Sequence, residues 1–92
     1  MTTLGTTQFA LPQFNINGTS ARTVEDEYHS ALNALRIAEQ LLIDATCHGR
    51  DFQMQSPDCY EKAREERAQA LKCLSHVHDY LSAWYWNAVD FQ

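Results

Sequence analysis

Residues 21–45 read ARTVEDEYHSALNALRIAEQLLIDA, and within them Val24, Tyr28, Ala31, Leu35, Ala38, Leu42 and Ala45 recur in an unbroken alternation of four and three positions. That alternation keeps one stripe on one side of an α-helix. Residues 57–91 repeat it through Tyr60, Ala63, Arg67, Ala70, Leu74, Val77, Leu81, Trp84, Ala88 and Phe91. Two such runs joined by a short segment containing Gly49 and Pro57 describe an all-α, antiparallel two-helix hairpin.

The flanks set the expected boundaries. Asn17-Gly18 turns the chain, and Thr19 or Ser20 can cap the first helix by accepting its unpaired amide hydrogens. Glu25, Asp26 and Glu27 follow in its early turns, where the helix dipole favours negative charge. The first helix is expected over about residues 20–47, with Gly49 as a left-handed stop. Ser56, Pro57 and Asp58 are an N-cap, a first helical residue and a dipole-matched acid, so the second helix is expected over about residues 57–90. Upstream, Phe9, Leu11, Phe14 and Ile16 alternate around Pro12, which reads as an extended arm within residues 1–18, with residues 19–92 forming the hairpin.

A 92-residue chain is one domain near the size at which a single core is marginal. A bare hairpin needs another layer, from its arm or from a second copy, so a homodimer with a four-helix arrangement is expected. If the connection is tight, residues whose numbers sum to about 104 share a level, and the last turns of helix two overhang. The aromatic overhang around Trp84, Tyr85, Trp86 and Phe91 then calls for the arm to fold across it. Ala31, Ala38, Ala63 and Ala70 would let another helix approach closely.

The net charge of −5 and the dispersal of seven Lys and Arg residues argue against direct nucleic-acid binding, which rests on clustered cations. A partner with a basic surface is the better match. Three cysteines, no secretory leader and no long apolar run point to a reduced, cytoplasmic chain without a membrane segment.

Cys47, His48 and Cys59 at the loop, and His29, Cys73 and His76 along the hairpin, each supply three ligands of the kind zinc accepts, but not four, and neither includes a Cys-x-x-Cys pair. The cysteines therefore read as small hydrophobes, and no metal or other cofactor is expected. Cys47 and His48 adjoin in sequence, which does not by itself place a base on a thiolate, and no oxyanion donors accompany them. No enzymatic activity is expected.

Arg67 falls on the apolar stripe and must snorkel out or meet a carboxylate such as Glu39. Trp86 falls off the stripe, where a large aromatic side chain either marks a binding site or is covered by residues Phe9 to Phe14. Glu25, Asp26 and Glu27, with Asp79 and Asp90, are expected to make the free end acidic, and such a patch speeds association with a basic surface.

The segments Leu11-Pro12-Gln13-Phe14-Asn15-Ile16-Asn17-Gly18-Thr19-Ser20 and His48-Gly49-Arg50-Asp51-Phe52-Gln53-Met54-Gln55-Ser56-Pro57, followed by Ala63 and Glu66-Arg67, resemble a family of small accessory proteins of bacteriophages and prophages of proteobacteria. Members more often carry a tyrosine-containing loop followed by glycine, where this chain has Phe52-Gln53-Met54-Gln55-Ser56. The resemblance implies a phage setting in which small acidic proteins frequently inhibit host defence by covering a site on a larger complex. Arg50 and Asp51 are expected to tie the N-terminal segment or cap helix ends, with Phe52 and Met54 plugging the hairpin.

The expected function is an anti-CRISPR-like inhibitor that binds a host defence complex by steric and electrostatic occlusion through Glu25, Asp26, Glu27, Arg50, Asp51, Phe52 and Trp86. Two alternatives stand beside it. One is an oligomeric sponge for a nucleotide second messenger, holding phosphate through Arg50, Arg64 or Arg67 and stacking the base on Tyr or Trp. The other is a structural coiled-coil partner within the phage's own machinery.

Overall fold

The structure is a computed structural model that describes residues 9–92. It is an all-helical hairpin, with α1 over Ala21–Asp44, a 3-10 turn over Gly49–Phe52 and α2 over Pro57–Phe91. Among the described residues there is no strand. No described helix is long and apolar enough to cross a membrane.

The start of α1 follows from local chemistry. The Asn15 side chain accepts from the Asn17 amide at 3.0 Å, and the Asn15 carbonyl accepts from the Gly18 amide at 3.1 Å, so the chain turns. Ser20 then takes the N-cap, its Oγ accepting from the Thr23 amide at 3.1 Å. The first turn of α1 holds no acidic residue. Glu25, Asp26 and Glu27 begin one turn too late for the dipole to account for them, because that effect fades beyond the first turn.

The end of α1 differs from expectation. The helix stops at Asp44, and Ala45 is already extended at φ −66° and ψ 146°. Among the described residues no glycine has a positive φ, so Gly49 is not a left-handed stop. Arg67 supplies the stop instead. Its Nη1 donates to the Ala45 carbonyl at 2.7 Å and its Nη2 donates to the Ile43 carbonyl, so one guanidinium satisfies two carbonyls that lack helical partners. Arg67 therefore neither snorkels free nor pairs with Glu39. Its positive charge also sits at the negative end of the helix dipole.

That clamp shifts the register of the hairpin. Tyr28 stacks on Trp84, His29 meets Tyr85 and Arg67 reaches Ile43, pairs whose numbers sum to between 110 and 114 rather than about 104. The connection is not tight. Residues 45–56 lie along the first turns of α2, where Phe52 packs on Tyr60 with ring centroids 5.8 Å apart. The overhang is thus at the loop end, and the free ends of the two helices are level.

At the level free ends, Ala21, Val24 and Ala88 form the buried core, with Phe14, Tyr28 and Trp84 packed against them. Along one side of α2, Phe9 lies against Tyr80 at 5.4 Å and His76 at 6.0 Å. Further along, the Pro12 carbonyl accepts from Asn87 Nδ2 at 3.0 Å, and Phe14 meets Phe91 at 5.2 Å. Residues 9–14 therefore run in the direction of α2 and add a third layer. The part of the expected arm that falls on residues 1–8 lies outside the described residues.

No large side chain is fully buried among the described residues. Ala38, Ala45 and Ala70, expected on the stripes, are exposed, whereas Leu71 and Tyr85 are half-buried and take their place at the seam. Of the four alanines expected to admit another helix, Ala31 and Ala63 are half-buried and only Ala38 and Ala70 are open. Burial raises the Tyr28 phenol above its ordinary value, and the neighbouring Tyr80 and the Glu27 carboxylate add to the shift.

Two stability predictions follow from the clamp and the core. Arg67→Met should lower the unfolding free energy by about 1.5 kcal/mol, because partly exposed charge-assisted bonds are lost. Arg67→Lys should recover only part of this, since an ammonium lacks the planar fork. Urea unfolding followed by circular dichroism measures both. In the core, Trp84 Nε1 is buried without an acceptor, which costs ~1–3 kcal/mol. Trp84→Phe removes that donor and should stay within about 1 kcal/mol of the parent, whereas Trp84→Ala should cost about 3 kcal/mol or more.

Candidate functional site, an aromatic groove between the helices

At 100° per residue, His78, Ser82, Tyr85 and Trp86 fall on the side of α2 opposite to His76, Tyr80, Asn87 and Phe91, which carry residues 9–14. On α1, the positions 29, 32, 33 and 36 form the matching stripe. The 110–114 register sets these stripes side by side. Between them lies a groove of about 460 Å³ lined by His29, Leu32, Asn33, Arg36, Glu39, His78, Ser82, Tyr85 and Trp86.

Tyr85 organises the groove. Its ring is tilted on His29 at 5.9 Å and meets Trp86 edge-on at 5.0 Å and 80°. Trp86 is held by this contact yet remains 56% exposed. The wall thus offers an indole face, the Arg36 guanidinium, two imidazoles, the Ser82 hydroxyl and the Asn33 amide. Among the described residues Arg36 has no ion-pair partner, the pairs being Arg22 with Asp26 and His78 with Asp79, each at 4.0 Å. Such a surface can hold a flat or apolar side chain against Trp86 while Arg36 takes a carbonyl or carboxylate.

The expected site residues divide into two groups. Trp86 lies on the groove, and Glu25 stands one turn above His29 on the same side of α1. Glu25 is half-buried and accepts from Gln92 Nε2 at 2.5 Å. Asp26 is exposed and faces Arg22, while Glu27 is carried a further 100° round the helix. Three consecutive residues cannot share one helix face. Asp79 and Asp90 are separated by eleven positions of α2, about 16 Å, so the acids do not form one patch at the free end.

Arg50, Asp51 and Phe52 form the second group, in the 3-10 turn at the loop end. Arg50 and Asp51 are exposed, and Phe52 is half-buried on Tyr60. Tyr60 and Trp86 are 26 positions apart on one helix, about 39 Å. Residues 9–14 pack at the far end, so Arg50 and Asp51 cannot tie that segment. Met54 is 98% exposed and plugs nothing.

The same register separates the ligand sets considered for a metal. His29 faces Tyr85 rather than Cys73 and His76, and His76 lies under Phe9. Among the described residues no three His, Cys, Asp or Glu side chains converge as metal ligands do. Cys47 and Cys59 are partly buried and Cys73 is exposed. At the loop end Arg64 stands over the Tyr60 ring at 5.7 Å.

Asn33 was not singled out by sequence reasoning, nor was Arg36 as a site residue, while His29 was weighed only as a metal ligand and Tyr85 only as part of the aromatic overhang. Their signal is present, since polar and aromatic residues recur at helical spacing beside each seam. Only the correct register brings the two rows together. No family model matches the chain, and neither a curated protein nor a solved structure does.

Proposed function

We propose that this chain is a phage accessory protein that binds a host defence complex and blocks it by occlusion, in the manner of an anti-CRISPR inhibitor. The observation that carries the reading is Trp86, a large aromatic side chain braced by Tyr85 and left more than half exposed on a groove whose wall also includes Arg36. Binding energy concentrates on pre-positioned aromatic and arginine side chains of this kind. Bracing lowers the entropy lost on contact.

Electrostatics supports a basic partner surface. The chain carries −5 overall, and Glu25 is fixed beside the groove by Gln92. Long-range attraction then raises the association rate, while Trp86 and Arg36 govern dissociation. The Arg50 to Phe52 turn is a second, separate contact. A partner engaging both ends presents a continuous surface about 40 Å long, which suits a multi-subunit effector better than a small protein. The phage setting and the choice of a defence complex rest on the sequence resemblance.

The nucleotide-sponge alternative is less well supported, because Arg67 is spent on backbone carbonyls and Arg64 on Tyr60. A structural role in phage assembly needs no exposed braced indole. Pull-down of the tagged chain from host lysate, followed by interference assays with each captured defence complex, tests the reading. Trp86→Ala should weaken the captured complex about thirtyfold, near 2 kcal/mol, with helical content unchanged. Capture and inhibition that survive Trp86→Ala together with Arg36→Ala would overturn the assignment of the surface. A parent chain that inhibits no defence complex would overturn the function.

A further inference from the structure

Where residues 12–15 cross the end of α2, a second cleft of about 490 Å³ opens, separate from the Trp86 groove. Its volume lies in the range of small-ligand sites, roughly 300–1,000 Å³. Residues 12–15 form one wall, and Asn87, Asp90 and Phe91 form the other. We infer that this cleft binds the guanidinium of an arginine side chain presented by a partner protein.

Four features of the cleft select a cation. First, Asp90 is the one charged residue among those lining it, is exposed, and makes no ion pair among the described residues. Second, Phe14 and Phe91 stand with ring centroids 5.2 Å apart and planes inclined at 53°, and Phe91 remains 61% exposed. A cation over an aromatic face is attracted by the ring quadrupole. Third, both asparagines have a side-chain donor spent inside the chain, Asn87 Nδ2 on the Pro12 carbonyl at 3.0 Å and Asn15 Nδ2 on the Gln13 carbonyl at 3.4 Å. An amide oxygen has two lone pairs, so Asn87 Oδ1 can accept, and Asn15 Oδ1 keeps one site beyond the Asn17 amide. Fourth, the last turn of α2 holds no basic residue, and Gln92 meets the Ala88 and Val89 carbonyls with neutral N–H groups. The negative end of the helix dipole therefore has no cation from its own helix.

Among cations, a guanidinium fits this set best. It is planar and weakly hydrated, so it can lie on the rings while its edge donates to the carboxylate and the amide oxygens, whereas an ammonium is a compact, strongly hydrated point charge. A free arginine would bring an α-carboxylate, and no Lys or Arg lines the cleft to receive it. An arginine within a polypeptide has none. The net charge of −5 also draws in a basic segment. This site goes beyond the groove, where Arg36 offers the opposite charge, so the two take different residues of a partner.

Titration of the isotope-labelled full chain with N-acetyl-arginine-N-methylamide, followed by nuclear magnetic resonance, tests this. Saturable shifts should be confined to residues 12–15 and 87–91, the Asn15 and Asn87 side-chain amides among them, with a Kd on the order of 1 mM for a ligand of this size. Asp90→Asn should weaken binding about tenfold and Phe91→Leu about threefold, with helical circular dichroism retained. The same compound with neutral citrulline in place of arginine should give no saturable shift, and blocked lysine should bind about threefold more weakly. Absence of saturable shifts at these residues would overturn the inference. So would equal binding by the citrulline compound, by blocked lysine or by the Asp90→Asn chain. Tighter binding of free arginine than of the blocked compound would overturn the partner protein as its source. No defence complex is present in the titration, so this site and the Trp86 reading stand or fall separately.

Discussion

The guanidinium of Arg67 on the Ile43 and Ala45 carbonyls is the contact from which the rest of the hairpin is measured. A helix end leaves carbonyls without partners, and glycine commonly resolves this by turning left-handed. Here a side chain from the other helix resolves it. The solution ties the end of α1 to a fixed height on α2, so termination and register become one event. The connection must then lie along the first turns of α2, and the free ends of the helices come level.

Register in turn decides what meets what at the free end. Tyr28 lies on Trp84 with rings 6° from parallel, and Val24 and Ala21 close around Ala88, which is fully buried. Small residues at the closest approach and aromatic residues beside it let two helices and a strap of six residues exclude water. The same alignment brings His29 beside Tyr85 on the other side, and so creates the groove. Core and groove are two faces of one offset.

The helix starts could be read directly, because Ser20 caps α1 through a neighbour in sequence and Pro57 suits the first position of α2, although the Ser56 side chain makes no capping hydrogen bond there. The stripes were sufficient for helices and their antiparallel pairing, and Trp86 was identified as lying off the stripe. What could not be read was the height at which the stripes meet. A 3-4 repeat is nearly unchanged by sliding one helix a full repeat along the other, so periodicity alone cannot distinguish these registers. The deciding residue, Arg67, looked like an anomaly on the stripe, since its partners are backbone carbonyls that any sequence would possess. The acids misled for a different reason. Adjacent in the chain, Glu25, Asp26 and Glu27 are distributed around the helix.

The register is the central claim, and proton–proton contacts in a nuclear Overhauser spectrum test it most directly. Cross-peaks between the rings of Tyr28 and Trp84, and between His29 and Tyr85, are the expected result. Contacts of Tyr28 with His76 or Val77 instead would place the helices at the tight-loop register. Arg67 would then lie too far from Ile43 and Ala45 to hold the end of α1, and the groove would lose its aromatic wall.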